Sequence, residues 1–169
     1  VLPVIPDLSV LNFLRVAVIG AAAALSGILF CISLKRSANF FSGKIKNYYL
    51  RPVLGGLIFL AMTLILRTTD YNGSGMDVII RATEGGTVVP YAFLLKIIFT
   101  AVTIGSGFRG GEIVPTMFIG ATLGCTAAAL LGLPPSFGAA LGIAAMFCAV
   151  VNCPMASICL ASELFGGGG

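Results

Sequence analysis

The sequence predicts an all-α fold: a polytopic membrane bundle of broken and tilted helices. Three observations carry this expectation. Hydrophobic residues make up 58% of the 169 positions, and 22 glycines raise the apolar share further, whereas a soluble domain has roughly 45–50% apolar residues with glycine included. Charged residues are only 9%, as 10 basic and 6 acidic side chains, too few to cover the surface of a soluble body of this size. Finally, the apolar residues fall in long runs, and several stop at proline or glycine within hydrophobic sequence. Lipid cannot satisfy the backbone groups that such breaks free, so they must face protein or a wet cavity. That favours a channel or transporter over a simple anchor.

The first run, Val10 to Leu34, is interrupted only by Arg15. It is long enough to cross a hydrocarbon core of ~30 Å with some tilt, and Arg15 stands near its start, where a long side chain can snorkel to the interface. Lys35, Arg36, Lys44, Lys46 and Arg51 follow with no acid among them, so the positive-inside rule places the loop 35–51 in the cytoplasm. The second run is Leu50 to Leu66, and the connection from Arg67 to Gly75, with Asp70 as its acid, is expected on the outer side. The third run is Val88 to Ile104, with Lys96 inside it. The fourth is Ile113 to Leu133, and the last, Phe137 to Leu164, is interrupted at Asn152-Cys153-Pro154. Two spacings, Gly120-x-x-x-Gly124 and Gly138-x-x-x-Gly142, suit close backbone approach between helices that lipid alone does not drive together.

The same residues exclude several functions. Net charge is +4, without a basic cluster of the kind nucleic acid requires. Histidine is absent, which removes the commonest metal ligand and proton shuttle. No paired carboxylates share a helix face and no serine stands with a base, so no enzyme and no cofactor is expected. Cys31, Cys125, Cys148, Cys153 and Cys159 all lie in apolar sequence and read as small buried apolar side chains. No charged leader with a cleavage site precedes the first run. The chain begins at Val1 and stops shortly after Glu163-Leu164-Phe165, so a fragment of a longer membrane domain is expected.

Chemistry concentrates in Gly105-Ser106-Gly107-Phe108-Arg109-Gly110-Gly111-Glu112-Ile113-Val114-Pro115. This glycine-rich turn joins two apolar runs. Pro115 falls in the first turn of the next helix, where its missing N–H costs little. A helix start has unpaired N–H groups and roughly half a positive charge. At membrane depth such an end can hold an anion through partial charges, weakly enough to let it leave. The candidate anion-binding residues are Gly110, Gly111, Glu112, Ile113, Val114 and Pro115. A tight interhelical turn with no ligand, in a membrane-embedded assembly subunit without transport activity, would have the same glycines. Glu112 has two readings: it stabilises the helix dipole as a cap, or it takes up a proton when an anion arrives, since a charged carboxylate would repel that anion. Arg109 either attracts anions or snorkels. Asp77, Glu84 and Glu163 read as interfacial or hydrogen-bonded structural acids.

With its continuation Thr116-Met117-Phe118-Ile119-Gly120-Ala121-Thr122-Leu123-Gly124, the turn resembles the second-half anion-binding signature of the CLC chloride channel and transporter family. That signature is G-x-F-x-P followed by a helix with G-[AT]-x-x-G. Ile113 stands at the family's phenylalanine position, a departure that leaves main-chain N–H groups intact. Gly73-Ser74-Gly75-Met76-Asp77-Val78-Ile79 resembles the glycine-rich start of a short half-helix in the same half of that fold. Asn152-Cys153-Pro154-Met155-Ala156, with Ser162-Glu163-Leu164-Phe165-Gly166, resembles a later helix break and its acidic end. Glu112 in Gly-Glu-x-x-Pro, together with Asn-x-Pro and Glu-Leu-Phe-Gly, is similar to the bacterial branch that includes fluoride/proton antiporters.

The resemblance implies one half of an inverted-repeat fold. It implies halide transport, chloride or fluoride, through a channel or a proton-coupled antiporter. It also implies a bacterial inner membrane as the location and a homodimer with one pore per subunit. The family's first half supplies a Gly-[RK]-Glu-Gly-Pro turn with a gating glutamate, and a later helix supplies a pore tyrosine; neither is in these 169 residues. The expected partners are therefore the halide, the bilayer and the missing N-terminal half.

Overall fold

A computed structural model describes residues 9–45, 47, 49–68, 71–86, 88–108 and 110–165, and among them all regular structure is α-helix. Seven helices follow in order: α1 Val10–Lys44, α2 Leu50–Leu66, α3 Met76–Thr83, α4 Ala92–Gly105, α5 Ile113–Leu131, α6 Pro135–Val151 and α7 Pro154–Phe165. The positions Lys46, Asp70, Arg109 and Gly166 lie outside the described residues.

Helix α5 is the centre. Thr116, every residue from Phe118 to Cys125, and Ala128 are buried, against α6, α4, α3 and α1. Its broadest contact is with α6. A Cβ added at Gly124 would collide with the Gly138 carbonyl, and one at Gly142 with the Gly120 carbonyl. The two helices therefore meet backbone to backbone through both four-residue glycine spacings, as expected. Short helix α3 docks on the same core through Val78, Ile79 and Ala82, one stripe at i, i+1 and i+4. Aromatic side chains fill the space between α2, α4 and α5: Phe59 meets Phe99 edge-on at 5.3 Å, and Tyr71 meets Phe118 at 6.2 Å, separations at which edge-to-face pairs attract.

Helix α1 lies against α4, α6 and α5, and buries Ile19, Ala23, Ser26, Gly27 and Phe30, a single stripe at helical spacing. Its remaining faces leave large apolar side chains exposed, among them Phe13 at 78% and Leu25 at 68%. In α2 only Gly55 is buried, where its missing side chain admits Ser106. By length and composition, α1 and α5 can each cross a membrane; α2, α4, α6 and α7 are apolar but shorter.

Helix ends follow local chemistry. Gly132 terminates α5 in the left-handed region at φ 71°, while the N–H groups of Gly132 and Leu133 bond the Ala129 and Ala128 carbonyls, closing the last turn. Pro135 opens α6 at a position where proline loses nothing. Asn152 ends α6 at φ 56° and Pro154 begins α7, so the interruption expected at 152–154 is the boundary between two helices.

Three expectations need correction. The loop placed at 35–51 is mostly helix, since α1 continues through Lys35 and Arg36 to Lys44; lysine and arginine are good helix formers, and Phe41, which is buried, fixes this extension. The third run starts four residues late, at Ala92, because Pro90 and Tyr91 form a turn. Lastly, Cys153 and Cys159 are exposed on this chain, Cys31 and Cys148 are half-buried, and Cys125 alone is buried; all five are free thiols. The two exposed ones sit at the break before α7 and on α7, whose main packing here is against α6.

Candidate functional site

The site begins where α4 stops. Gly107, at φ 99°, turns the chain; its N–H bonds the Ile104 carbonyl at 3.0 Å, and the Phe108 N–H bonds the Thr103 carbonyl at 3.3 Å. This is a glycine-closed helix end, and it satisfies carbonyls that would otherwise be free. Glu112 is the N-cap of α5, with φ −84° and ψ −16°. Its carbonyl accepts the Thr116 N–H at 3.1 Å and the Thr116 hydroxyl at 2.6 Å. Buried Thr116 thereby locks the first turn from inside.

The N–H groups just ahead of that lock are different. Among the described residues, none accepts a hydrogen bond from the N–H of Gly110, Gly111, Glu112, Ile113 or Val114. Three of these belong to the start of α5, where orphan donors and the dipole coincide. The Glu112 side chain makes no capping hydrogen bond, so capping through that carboxylate is not what the geometry displays. Glu112 and Ile113 are exposed, whereas Val114 and Pro115 are half-buried.

A cavity of about 380 Å³ opens in front of this helix start, lined by Gly110, Gly111, Val114 and Pro115, by Phe99, Thr100 and Thr103 of α4, and by Tyr71, Gly73 and Ser74 before α3. Four of the six candidate residues thus share one concave surface; Glu112 and Ile113 do not line it. Arg109 lies outside the described residues. The predicted half-helix is also present: α3 begins after Gly73 and Gly75, at φ 58° and 65°. Asp77, Glu84 and Glu163 are exposed on this chain.

Sequence reasoning passed over one residue. Lys96 lines the same cavity with 2% of its surface exposed. Its ammonium donates to the carbonyls of Tyr71 at 3.0 Å and Gly73 at 2.8 Å, and lies 4.8 Å from the Phe118 ring centroid, within range of a cation–π attraction. The available signal was a lone lysine inside an apolar run, which is costly and therefore seldom idle.

Comparison with known proteins bears on the family and the fold. The sequence model of the voltage gated chloride channel family matches residues 2–168. A chloride/fluoride channel protein of Pseudomonas syringae pv. tomato is 35% identical over 161 residues, covering 92% of this chain and 35% of that protein. The H(+)/Cl(-) exchange transporter ClcA of Vibrio cholerae is 28% identical over 174 residues, covering 94% and 36%. The crystal structure of a CLC-type fluoride/proton antiporter superposes with a TM-score of 0.93 at 33% identity, over 99% of this chain and 42% of that one. The chain spans about a third of the length of these curated relatives. With that family model matching nearly the whole chain and the all-helical fold shared with that antiporter structure, the chain belongs to the voltage gated chloride channel family.

Proposed function

We propose that this chain is the second half of a CLC-type anion transporter that moves halide across a membrane, with fluoride as its physiological ion. The observation that carries the reading is the set of N–H groups at Glu112, Ile113 and Val114, which no described residue accepts, at the start of a helix that opens beside a cavity. Their partial charges replace part of a halide's hydration shell, and no covalent step is needed. A site built on dipoles binds weakly enough to release. Gly110 and Gly111 leave room for the ion, since a Cβ at either would meet nothing within 4 Å.

Glu112 is the proton-coupling residue in this reading. Its side chain makes no capping bond, so no structural role of that kind competes with this one. Fluoride is favoured over chloride because Glu112 stands in Gly-Glu-x-x-Pro, and because a fluoride/proton antiporter and a chloride/fluoride channel protein are among the similar proteins. The exposed apolar faces of α1 and α2, with Leu64 at 76% and Ile65 at 81%, fit lipid or the other half of the transporter. The whole protein would then sit in a bacterial inner membrane as a homodimer, with the 35–51 segment cytoplasmic and the first half completing the pathway.

The test is halide efflux from liposomes containing the full-length protein, comparing fluoride with chloride. Fluoride flux coupled to proton movement is expected. Strong chloride flux without fluoride preference would replace the fluoride assignment by a chloride channel, and no halide flux of either kind would overturn the transport reading.

A further inference from the structure

Lys96 is the one buried charged side chain among the described residues. Taking an ammonium out of water is expensive, and the hydrogen bonds it makes here do not require a charge. Both acceptors are neutral carbonyls, of Tyr71 and Gly73, and a glutamine could serve one of them. No carboxylate of the described residues is paired with it; Asp70 lies outside the described residues. Lys96 lines the wall of the cavity that Gly110, Gly111, Val114 and Pro115 share. An ammonium has three donors. Two are committed to carbonyls that hold the group in place, which suits a field that attracts an ion without becoming its resting place.

We propose that Lys96 is the anion-selecting charge of this cavity: pinned by the Tyr71 and Gly73 carbonyls, its ammonium raises halide occupancy in front of α5 and keeps cations out. This rests on the transport reading above. Lys96 acts on the ion at a distance, so it is a positioning residue, and the half-helix dipole of α5 remains the binding element.

The experiment uses the full-length protein in liposomes, with fluoride and chloride flux measured against halide concentration for Lys96→Arg, Lys96→Gln and Lys96→Met. Arginine keeps the charge and should stay within about twofold of the parent. The neutral variants should raise the half-saturating halide concentration on the order of tenfold, with a smaller change in maximal rate. A folded Lys96→Gln protein with the parent's half-saturation overturns the proposal and leaves Lys96 a hydrogen-bonding staple. If the neutral variants do not fold, Ser74→Asp decides. Ser74 is exposed and lines the same cavity, and an added carboxylate there should cancel the field and weaken halide binding to a similar degree. Unchanged half-saturation in Ser74→Asp overturns the proposal. A parent protein that passes no halide instead overturns the transport reading itself.

Discussion

Between α5 and α6, a Cβ added at Gly120, Gly124 or Gly142 would run into the facing backbone, and at Gly138 into Ala128 as well. In the turn between α4 and α5, a Cβ added at Gly110 or Gly111 would meet nothing within 4 Å. The residue type is the same and the reason for it is opposite. In the first region glycine lets two helices close until no space remains, which is how packing proceeds where lipid supplies no hydrophobic drive. In the second no neighbour presses on the glycines, which line a cavity. Density of glycine therefore does not distinguish a seam from a site; the distance to the next backbone does.

The contrast can be broken by substitution, in decreasing order of expected loss of stability. Gly124→Ala should do most harm. Its methyl group meets the Gly138 carbonyl and the Gly142 Cα, backbone atoms that cannot rotate away, so a cost of roughly 3 kcal/mol is expected, at the upper end for overpacking, read as a lower midpoint of thermal unfolding in detergent. A normal midpoint would mean that the α5–α6 seam is looser than described. Gly107→Ala comes next. It has open space but a φ of 99°, so backbone strain of roughly 1–2 kcal/mol is expected from the same measurement.

Gly111→Ala sharpens the comparison from the other side. With neither a clash nor a positive φ at that position, stability should shift by less than ~0.5 kcal/mol. Halide flux should nonetheless fall if the ion binds here, because Gly111 lines the cavity and a methyl group takes space beside the main-chain donors. Parent-like flux would place the ion elsewhere. Glu112→Gln should be nearly silent in unfolding, because the side chain makes no capping bond; loss of a working cap would cost ~1 kcal/mol. Its effect belongs in transport, as altered proton coupling, and unchanged coupling in full-length protein would return Glu112 to a role in the helix dipole.

Much of the fold was legible in the order of residues. The run Leu50 to Leu66 coincides with α2, and Ile113 begins both the fourth run and α5. The break at 152–154 falls between α6 and α7. These features are local: apolar length, a proline that cannot continue a helix, a residue that tolerates the left-handed region. Errors came where a local signal was ambiguous. Lys35 to Lys44 read as a charged loop, yet lysine, arginine and alanine there are good helix formers, and Phe41 finds a buried position that no short window reveals. Cys153 and Cys159 lie in apolar sequence, but apolar sequence in a membrane domain does not imply burial within one chain.

The sequence by itself determined the fold class, the family, the helix breaks and the stretch that carries the candidate site, because periodicity, turn chemistry and motif spacing act over a few residues. Tertiary structure alone decided that Lys96 reaches the carbonyls of Tyr71 and Gly73, and that these groups share a cavity with the start of α5. Those contacts join positions more than twenty residues apart. They depend on how α4 packs against α2 and α5, and burial of a charge is a property of that packing rather than of the residues on either side of it.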